Sequence, residues 1–398
     1  MLTRSASDNG LHTYARQRGF IQYSDKKLQS RQIHLSARIK PRPAALVMGR
    51  AAGVIMPGCQ IIRREPMSNE LIIRPQVPAK RPEVSLPGLV FGTKPRVILK
   101  RSVWMLAGLF VLYFGVLGNL MHRIDADLDF MPPNPVEGGS HAVNMAEALI
   151  TREVVTHRWT ANDPVFFPTG FHDNMPNFQR GMMRAISRFT LELENQIGRL
   201  RGSSAIDSDL ERASGLLQFP PDVWIFDLDQ SLLPVQPAET QYEAAARALR
   251  AYNTRVAQRV AIFETRADAL ALTIERMASE LGSRAAIVDD HVSADRFIFD
   301  VLADDIFYVN KGMAYASYLL LRELGRDFEN VIASQGLSRV WMQALDSLRE
   351  ASQQQPLIVL NSSGASSFLA NHLHLQGFYL KRAILQLDEI SRVIRATR

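Results

Sequence analysis

Over most of its length this chain repeats apolar residues at intervals of three and four, the period of a helix with one face turned to a core. From Pro176 the positions Phe178, Met182, Ile186, Phe189, Leu193, Ile197 and Leu200 form one such stripe. Ser140 is placed to cap a helix running to about Val155. A capping box from Thr240 to Glu243 opens the longest periodic stretch, a single seam from Tyr242 through Leu249, Tyr252, Val256, Val260, Phe263, Leu270, Ile274 and Met277 to Leu281. Further helices are expected from about Ile306 to Leu324, where Gly325 should stop the helix, and from about Ser338 to Ser352. A last one, capped near Ser366, carries Leu373, Leu380, Ile384, Leu387, Ile390 and Ile394. Only Pro356 to Leu360 and Val223 to Phe226 look like strands, and both are short. The pattern predicts a mainly α protein, an antiparallel helical bundle over residues 140–398 with long loops at one end, among them the polar, Pro/Gly-rich run from Thr156 to Asn177.

One stretch has no polar face. Ser102 to Met121 is twenty residues without a charge, and at a rise of about 1.5 Å per residue such a helix covers the roughly 30 Å hydrocarbon core of a bilayer. A cleavable signal peptide would have a shorter apolar region ending in small residues. This one ends in Asn119-Leu-Met-His-Arg123, so it reads as a retained, single transmembrane anchor. Lys94, Arg96, Lys100 and Arg101 precede it, whereas Arg123 is followed by Asp125, Asp127 and Asp129. Basic flanks stay in the cytoplasm, which predicts a cytoplasmic N-terminus and a translocated C-terminal domain, periplasmic at the inner membrane of a Gram-negative host. Residues 122–139, acidic and proline-bearing, read as a linker holding that domain off the bilayer. The span contains no GxxxG pattern, hence no obvious dimer face.

Charge divides the chain at the same place. Residues 1–101 hold 19 Lys/Arg against 5 Asp/Glu, a balance of +14, and residues 102–398 hold 27 against 35, a balance of −8. The first 95 residues carry nine prolines and no sustained period, the signature of a disordered basic tail. Its arginines are scattered and not interleaved with aromatic residues, so no nucleic-acid partner is expected; an attraction to anionic lipid is compatible with it. A start further in, at Met48, Met56 or Met67, is the other reading of that stretch. A single cysteine, Cys59, rules out an intrachain disulfide, a zinc finger and a CxxC redox centre.

Three motifs carry a resemblance. Asp173-Asn-Met-Pro-Asn-Phe178 opens a helix; Asp305-Ile-Phe-Tyr308 leads to Gly312 and a Tyr/Leu-rich helix; Asn361-Ser-Ser-Gly364 is followed by Asn371-His372 and a Tyr379-Leu-Lys-Arg-Ala383 helix. This combination resembles the bacterial membrane-anchored family known as domain of unknown function 2333, from about Ala142 to the C-terminus, and the anchor fits it too, while the long tail does not. The resemblance implies a proteobacterial protein with one N-terminal anchor, and no activity, cofactor or catalytic residue that could be carried over.

Candidate chemistry is sparse. Val223-Trp-Ile-Phe-Asp227-Leu-Asp229 is similar to the first motif of haloacid-dehalogenase-type phosphatases, in which the first aspartate attacks phosphorus and the second serves as acid/base beside Mg²⁺. The later motifs come in the wrong order: Asp289-Asp290 and Asp304-Asp305 precede Lys311, and Ser362 comes last. His372 and His374 diverge by about 200° on a helix and make a poor metal pair. No phosphate loop, HExxH or EF-hand spacing occurs, so no metal and no cofactor are expected. What is left is a set of short polar residues at loop-to-helix junctions, Asp173, Asn174, Asn361, Ser363, Asn371 and His372, able either to cap helices or to present a binding edge. Two classes of function follow. The first is an anchored scaffold or interaction protein of the envelope with a protein partner; the second is an anchored hydrolase or ligand-binding module using either that polar set or the pair Asp227 and Asp229.

Overall fold

The computed structural model describes residues 95–201, 207–226, 233–293, 301–356 and 372–396. The basic tail therefore lies outside the described residues, as do Asp227, Asp229, Asn361, Ser363 and Asn371. The described residues are mainly helical, without strands. Helix α1, Pro95–Phe110, continues through a π-helical stretch, Val111–Leu117, into the short α2, Gly118–Met121. Together Arg96–Met121 is 26 residues long with a mean hydropathy of 1.9, long and apolar enough to cross a membrane, and almost none of it is buried.

The remaining helices are α3 His141–Thr151, α4 Asn174–Arg201, α5 Ser208–Leu217, α6 Ala238–Ala257, α7 Ala267–Ser293, α8 Val301–Asp327, α9 Glu329–Ser334, α10 Ser338–Gln353 and α11 His372–Ala396. The expected stripes face inward: Phe178, Met182, Ile186, Phe189 and Leu193 of α4 are buried, as are Leu373, Leu380, Leu387, Ile390 and Ile394 of α11. Ser140 caps α3 as anticipated, its hydroxyl accepting from Val143 N at 3.2 Å.

Four expectations give way to a different arrangement. The long seam from Tyr242 to Leu281 belongs to two helices, because α6 ends at Ala257. Its end is a Schellman motif: Val260 N donates to Arg255 O and Arg259 N to Val256 O, both at 2.9 Å, with Arg259 in the left-handed region at φ 62°. Glycine usually marks that position, so an arginine there hides the break. Nor does Thr240 cap α6, which starts at Ala238 after Pro237. Gly325 does not stop α8. It lies where a side chain would strike Trp341, and the helix runs on to Asp327, whose carboxylate accepts from Ser140 Oγ at 2.7 Å and from the backbone N of His141 and Ala142 at 2.8 and 3.0 Å. The end of α8 thereby caps the start of α3. Finally, Val223 to Phe226 is irregular rather than a strand.

Helix directions follow from their cross-links. Lys381 pairs with Asp289 and Arg395 with Glu275, so α11 runs opposite to α7. Arg184 pairs with Glu280, and Gln196 Nε2 donates to Thr273 Oγ1 at 2.7 Å, so α4 also runs opposite to α7. Helix α8 does the same, with Arg284 donating to Asn310 and the later Met313 and Ser317 lying beside the earlier Met277 and Leu281. Helices α4, α8 and α11 consequently run the same way, each opposite to α7. Where α4 crosses α8, Gly181 meets the carbonyl of Val309 and Gly312 meets the carbonyl of Phe178, backbone against backbone.

The segment read as a stand-off linker lies along these helices instead. Arg152 donates to Asp125 O at 3.2 Å, Tyr315 OH to Asp127 O at 2.7 Å, and Arg322 to Leu128 O and Phe130 O at 2.6 and 2.7 Å. Leu128 is buried, and the Phe130 ring lies 4.6 Å from the Arg152 guanidinium.

Candidate functional site

Three helices that run the same way begin at the same end, and their first turns meet there. Leu373 of α11 packs with Ala303, Ile306 and Phe307 of α8. Asn177 of α4 donates to Asp305 of α8 at 2.7 Å. The junctions holding Asp173, Asn174 and His372 therefore converge on the first turns of α8, although almost two hundred residues separate them in sequence.

Asn174 does not use its side chain as a cap. With its nitrogen turned to the carboxylates, the amide donates to Asp304 at 2.6 Å and to Asp173 at 3.2 Å, bridging the two helices. Helix α4 is started instead by Asp173, whose carbonyl accepts from Asn177 N at 2.9 Å. Behind this pair Arg180 donates to Asn177 Oδ1 at 3.2 Å and to Ala161 O at 2.7 Å. Burial raises the Asp304 carboxyl to about 6, helped by the negative charges of Asp173 and then Asp305. Asp305 is raised for the same first two reasons, opposed by the Asn177 hydrogen bond and by Arg180. Tyr308, one turn on, is raised as well, by burial and then by Asp304 and Asp173.

The end of the apolar helix reaches the same place. A side chain at Gly118 would lie 2.9 Å from the His172 ring, and the rings of His122 and His172 sit 5.2 Å apart. Burial, with a further push from His172 against a pull from Asp173, lowers His122 to about 4, so its imidazole is neutral at ordinary pH.

The electrostatic reason for this cluster is the parallel start of the helices. Each helix N-terminus carries about half a positive charge and unpaired N–H groups. Such ends attract carboxylates, and Asp173, Asp304 and Asp305 lie there, but burial and their mutual repulsion outweigh that attraction for Asp304 and Asp305. The arrangement can accept cationic or hydrogen-bond-donor groups along its exposed rim, and its Asp304 proton titrates near neutrality. Among the described residues no group of three His, Cys, Asp or Glu side chains is arranged around a metal position.

Three buried charged groups elsewhere are held by structural partners. Lys311, lowered to about 8 by burial, donates to Gln354 O at 2.7 Å at the end of α10. Arg152 and Glu153 pair at 2.9 Å with side chains 6% and 3% exposed. A cleft between α4, α7 and α8, lined by Phe189, Glu192, Met277 and Ser317, has a volume of about 20 Å³, room for about one water. Asp227 and Asp229 of the phosphatase-like motif lie outside the described residues, and among the described residues after it, 238–293 are helix α6, a loop and helix α7, without a strand.

The sequence displays Asn174, Asn177 and the Asp304-Asp305 pair but not their meeting, and no motif singles out His122 or His172. An acidic pair at the start of a helix was the available signal, since carboxylates there answer the helix dipole. Only the fold tells which other helix starts nearby.

A search of curated proteins and a search of solved structures both return no match. A family model, described as an uncharacterized protein conserved in bacteria, matches residues 133–302 and 300–396, from the linker to the end of α11. That stretch includes every helix of the packed body and the cluster at its end, so the chain belongs to the bacterial family called domain of unknown function 2333.

Proposed function

We propose that this chain is a single-pass protein of a bacterial inner membrane, that residues 140–398 form a bundle of mostly antiparallel helices in the periplasm, and that this domain works by binding another envelope component rather than by catalysis. The observation that carries the reading is the bare apolar helix joined directly to a packed helical body. Trp104, Leu106 and Leu120 are 77%, 62% and 74% exposed, and each such side chain left in water forgoes about 1.5–3 kcal/mol of burial. A bilayer would cover them. The four basic residues ahead of the helix and the acidic run after Arg123 favour an N-terminus in the cytoplasm.

The end where α4, α8 and α11 begin is the binding edge in this reading, with Asp173, Asn174 and His372 on it and Asn361, Ser363 and Asn371 in the chain leading to it. Its acidic character suits a partner segment rich in Lys or Arg. A periplasm-dependent reporter fused after Arg398 should be active, and a cytoplasm-dependent one at the same junction silent. The reverse pattern would overturn the topology. Crosslinking from a photoreactive residue at position 372 should trap a discrete protein partner. Magnesium-dependent phosphatase activity of the purified chain that is abolished by Asp227→Asn would instead establish the hydrolase reading.

A further inference from the structure

The apolar surface does not end with the span. Residues 164–171 form a tight loop with Val165, Phe166 and Phe171 exposed, and this loop lies against the membrane helix itself. The Phe171 ring is 4.8 Å from Phe114 and 6.3 Å from Phe110, and Tyr113 OH donates to Phe166 O at 3.2 Å. On its other side the Phe166 ring is 5.7 Å from Trp224, which in turn lies 5.4 Å from the exposed Phe226. An aromatic strip therefore continues from the middle of the span out along the helical body.

Depth decides what this strip touches. Charges at Arg101 and Arg123 fix the hydrocarbon segment to the twenty residues between Ser102 and Met121, because sliding the bilayer toward the N-terminus would bury Lys100 and Arg101. Phe114 and Phe110 lie seven and eleven residues before Met121, about 10 and 16 Å into the membrane at 1.5 Å per residue. A loop seated on them sits within one leaflet. Part of its backbone is closed on itself: Phe167 N donates to Pro164 O and Gly170 N to Phe167 O, each at 2.9 Å, and Pro164 and Pro168 have no N–H to satisfy. Gly170 permits the tight closure, since a side chain there would lie 2.7 Å from Pro164 O. Thr169 gives its hydroxyl to Asp163, which also pairs with Arg158 behind the loop.

We infer that residues 164–171, with Trp224 and Phe226 at the interface, form a second membrane contact that is wedged into the leaflet beside the span. This rests on the proposal that Arg96–Met121 crosses a bilayer. The occupant is lipid acyl chain, because the strip is continuous with the span and reaches the same depth.

The test uses the full chain in vesicles of phosphatidylethanolamine and phosphatidylglycerol, with Cys59→Ala as background and a nitroxide at one introduced cysteine. Phe166→Cys reports the wedge, Trp104→Cys the span, and Arg247→Cys, on the exposed face of α6, the water phase. Collision rates with oxygen, which concentrates in lipid, and with a nickel chelate, which stays in water, are compared. The expected result is that the label at 166 favours oxygen over nickel with the same sign as the label at 104, and opposite to that at 247. Nickel access at 166 with the label at 104 in lipid would overturn the wedge and leave the span. Nickel access at both would overturn the span and the wedge with it. A label at 166 shielded from both reagents would mean a protein covers the strip, and would overturn lipid as its occupant.

Discussion

Replacing Gly181 with alanine should unsettle the whole helical body, because the residue sits where α4 and α8 cross backbone to backbone. A methyl at Gly181 would lie 2.8 Å from the carbonyl carbon of Val309 and nearer still to its oxygen; one at Gly312 would lie 2.8 Å from the carbonyl carbon of Phe178. Ordinary contact between such atoms is about 3.5–4.0 Å. The shortfall of about 1 Å cannot be met by turning a side chain, since the obstacle is a helix backbone, so the helices must part. A gap of that size forfeits a quarter to a half of the dispersion energy of the atoms facing across it. Those atoms belong to fully buried groups, among them Phe178 and Met182 on one side and Tyr315 on the other. Overpacking costs about 1–3 kcal/mol, with backbone against backbone at the upper end, while alanine regains about 1 kcal/mol of helix propensity over glycine. The net loss is about 2 kcal/mol, a fall of about 4–8 °C in melting temperature for a helical domain of this size. Thermal unfolding of the full chain in detergent, followed by far-ultraviolet circular dichroism, reads it. Gly215→Ala and Gly282→Ala are the controls, since nothing lies within 4 Å of a side chain at either. They should stabilise by about 0.5–1 kcal/mol. The double variant Gly181→Ala/Gly312→Ala should lose less than the sum of the singles, because helices already parted for one methyl have room for the next. A Gly181→Ala protein melting at or above the parent, with the controls behaving as stated, would refute the close crossing.

Asp304→Asn should stabilise the protein at pH 7.5 and do little at pH 4. The folded-state value of about 6 lies above the value of about 3.9 for an unfolded aspartate, so the folded form holds its proton more tightly and stability is lost as pH rises through that interval. Because the group is only partly buried, the gain is about 1 kcal/mol at most, and a variant that is less stable at pH 7.5 would contradict the cluster's account. Arg152→Met should cost about 3 kcal/mol by leaving Glu153 buried without its guanidinium partner, and should speed tryptic cleavage after Arg123; Arg152→Met/Glu153→Gln should recover part of the stability and none of the protection. Arg259→Gly should raise stability by about 0.5–1 kcal/mol by relieving the left-handed backbone at the end of α6, and a loss in chemical denaturation would show that the arginine side chain matters there.

The apolar stripes made the helices legible, since Phe178 to Leu193 and Leu373 to Ile394 repeat at the helical period and are buried as expected. What the period does not carry is where a helix ends without glycine or proline, and Arg259 left the break after Ala257 unmarked. Gly325 shows the opposite case, a glycine that serves close packing on Trp341 rather than a stop. Gly181 and Gly312 are a third case: each is ordinary in its own helix, and their meaning arises only where the two helices touch. The candidate site was half legible for the same reason. Asp173, Asn174 and His372 stand at helix starts, which a sequence displays, whereas the bridge from Asn174 to Asp304 depends on α4 and α8 starting side by side. That follows from both running opposite to α7, a relation between elements far apart in the chain.

The hydrogen bonds from Arg152, Tyr315 and Arg322 to the backbone of residues 125–130 have a mechanical consequence. A free tether as long as residues 122–139 would let its cargo wander about 20 Å from the point of attachment and spin without restraint. Guanidinium and phenol groups gripping the carbonyls of residues 125, 127, 128 and 130 remove that slack. If Arg96–Met121 crosses a bilayer as proposed, a tilt or rotation of that helix would reach the helical body as torque, and the body would turn with it as a crank turns on its axle.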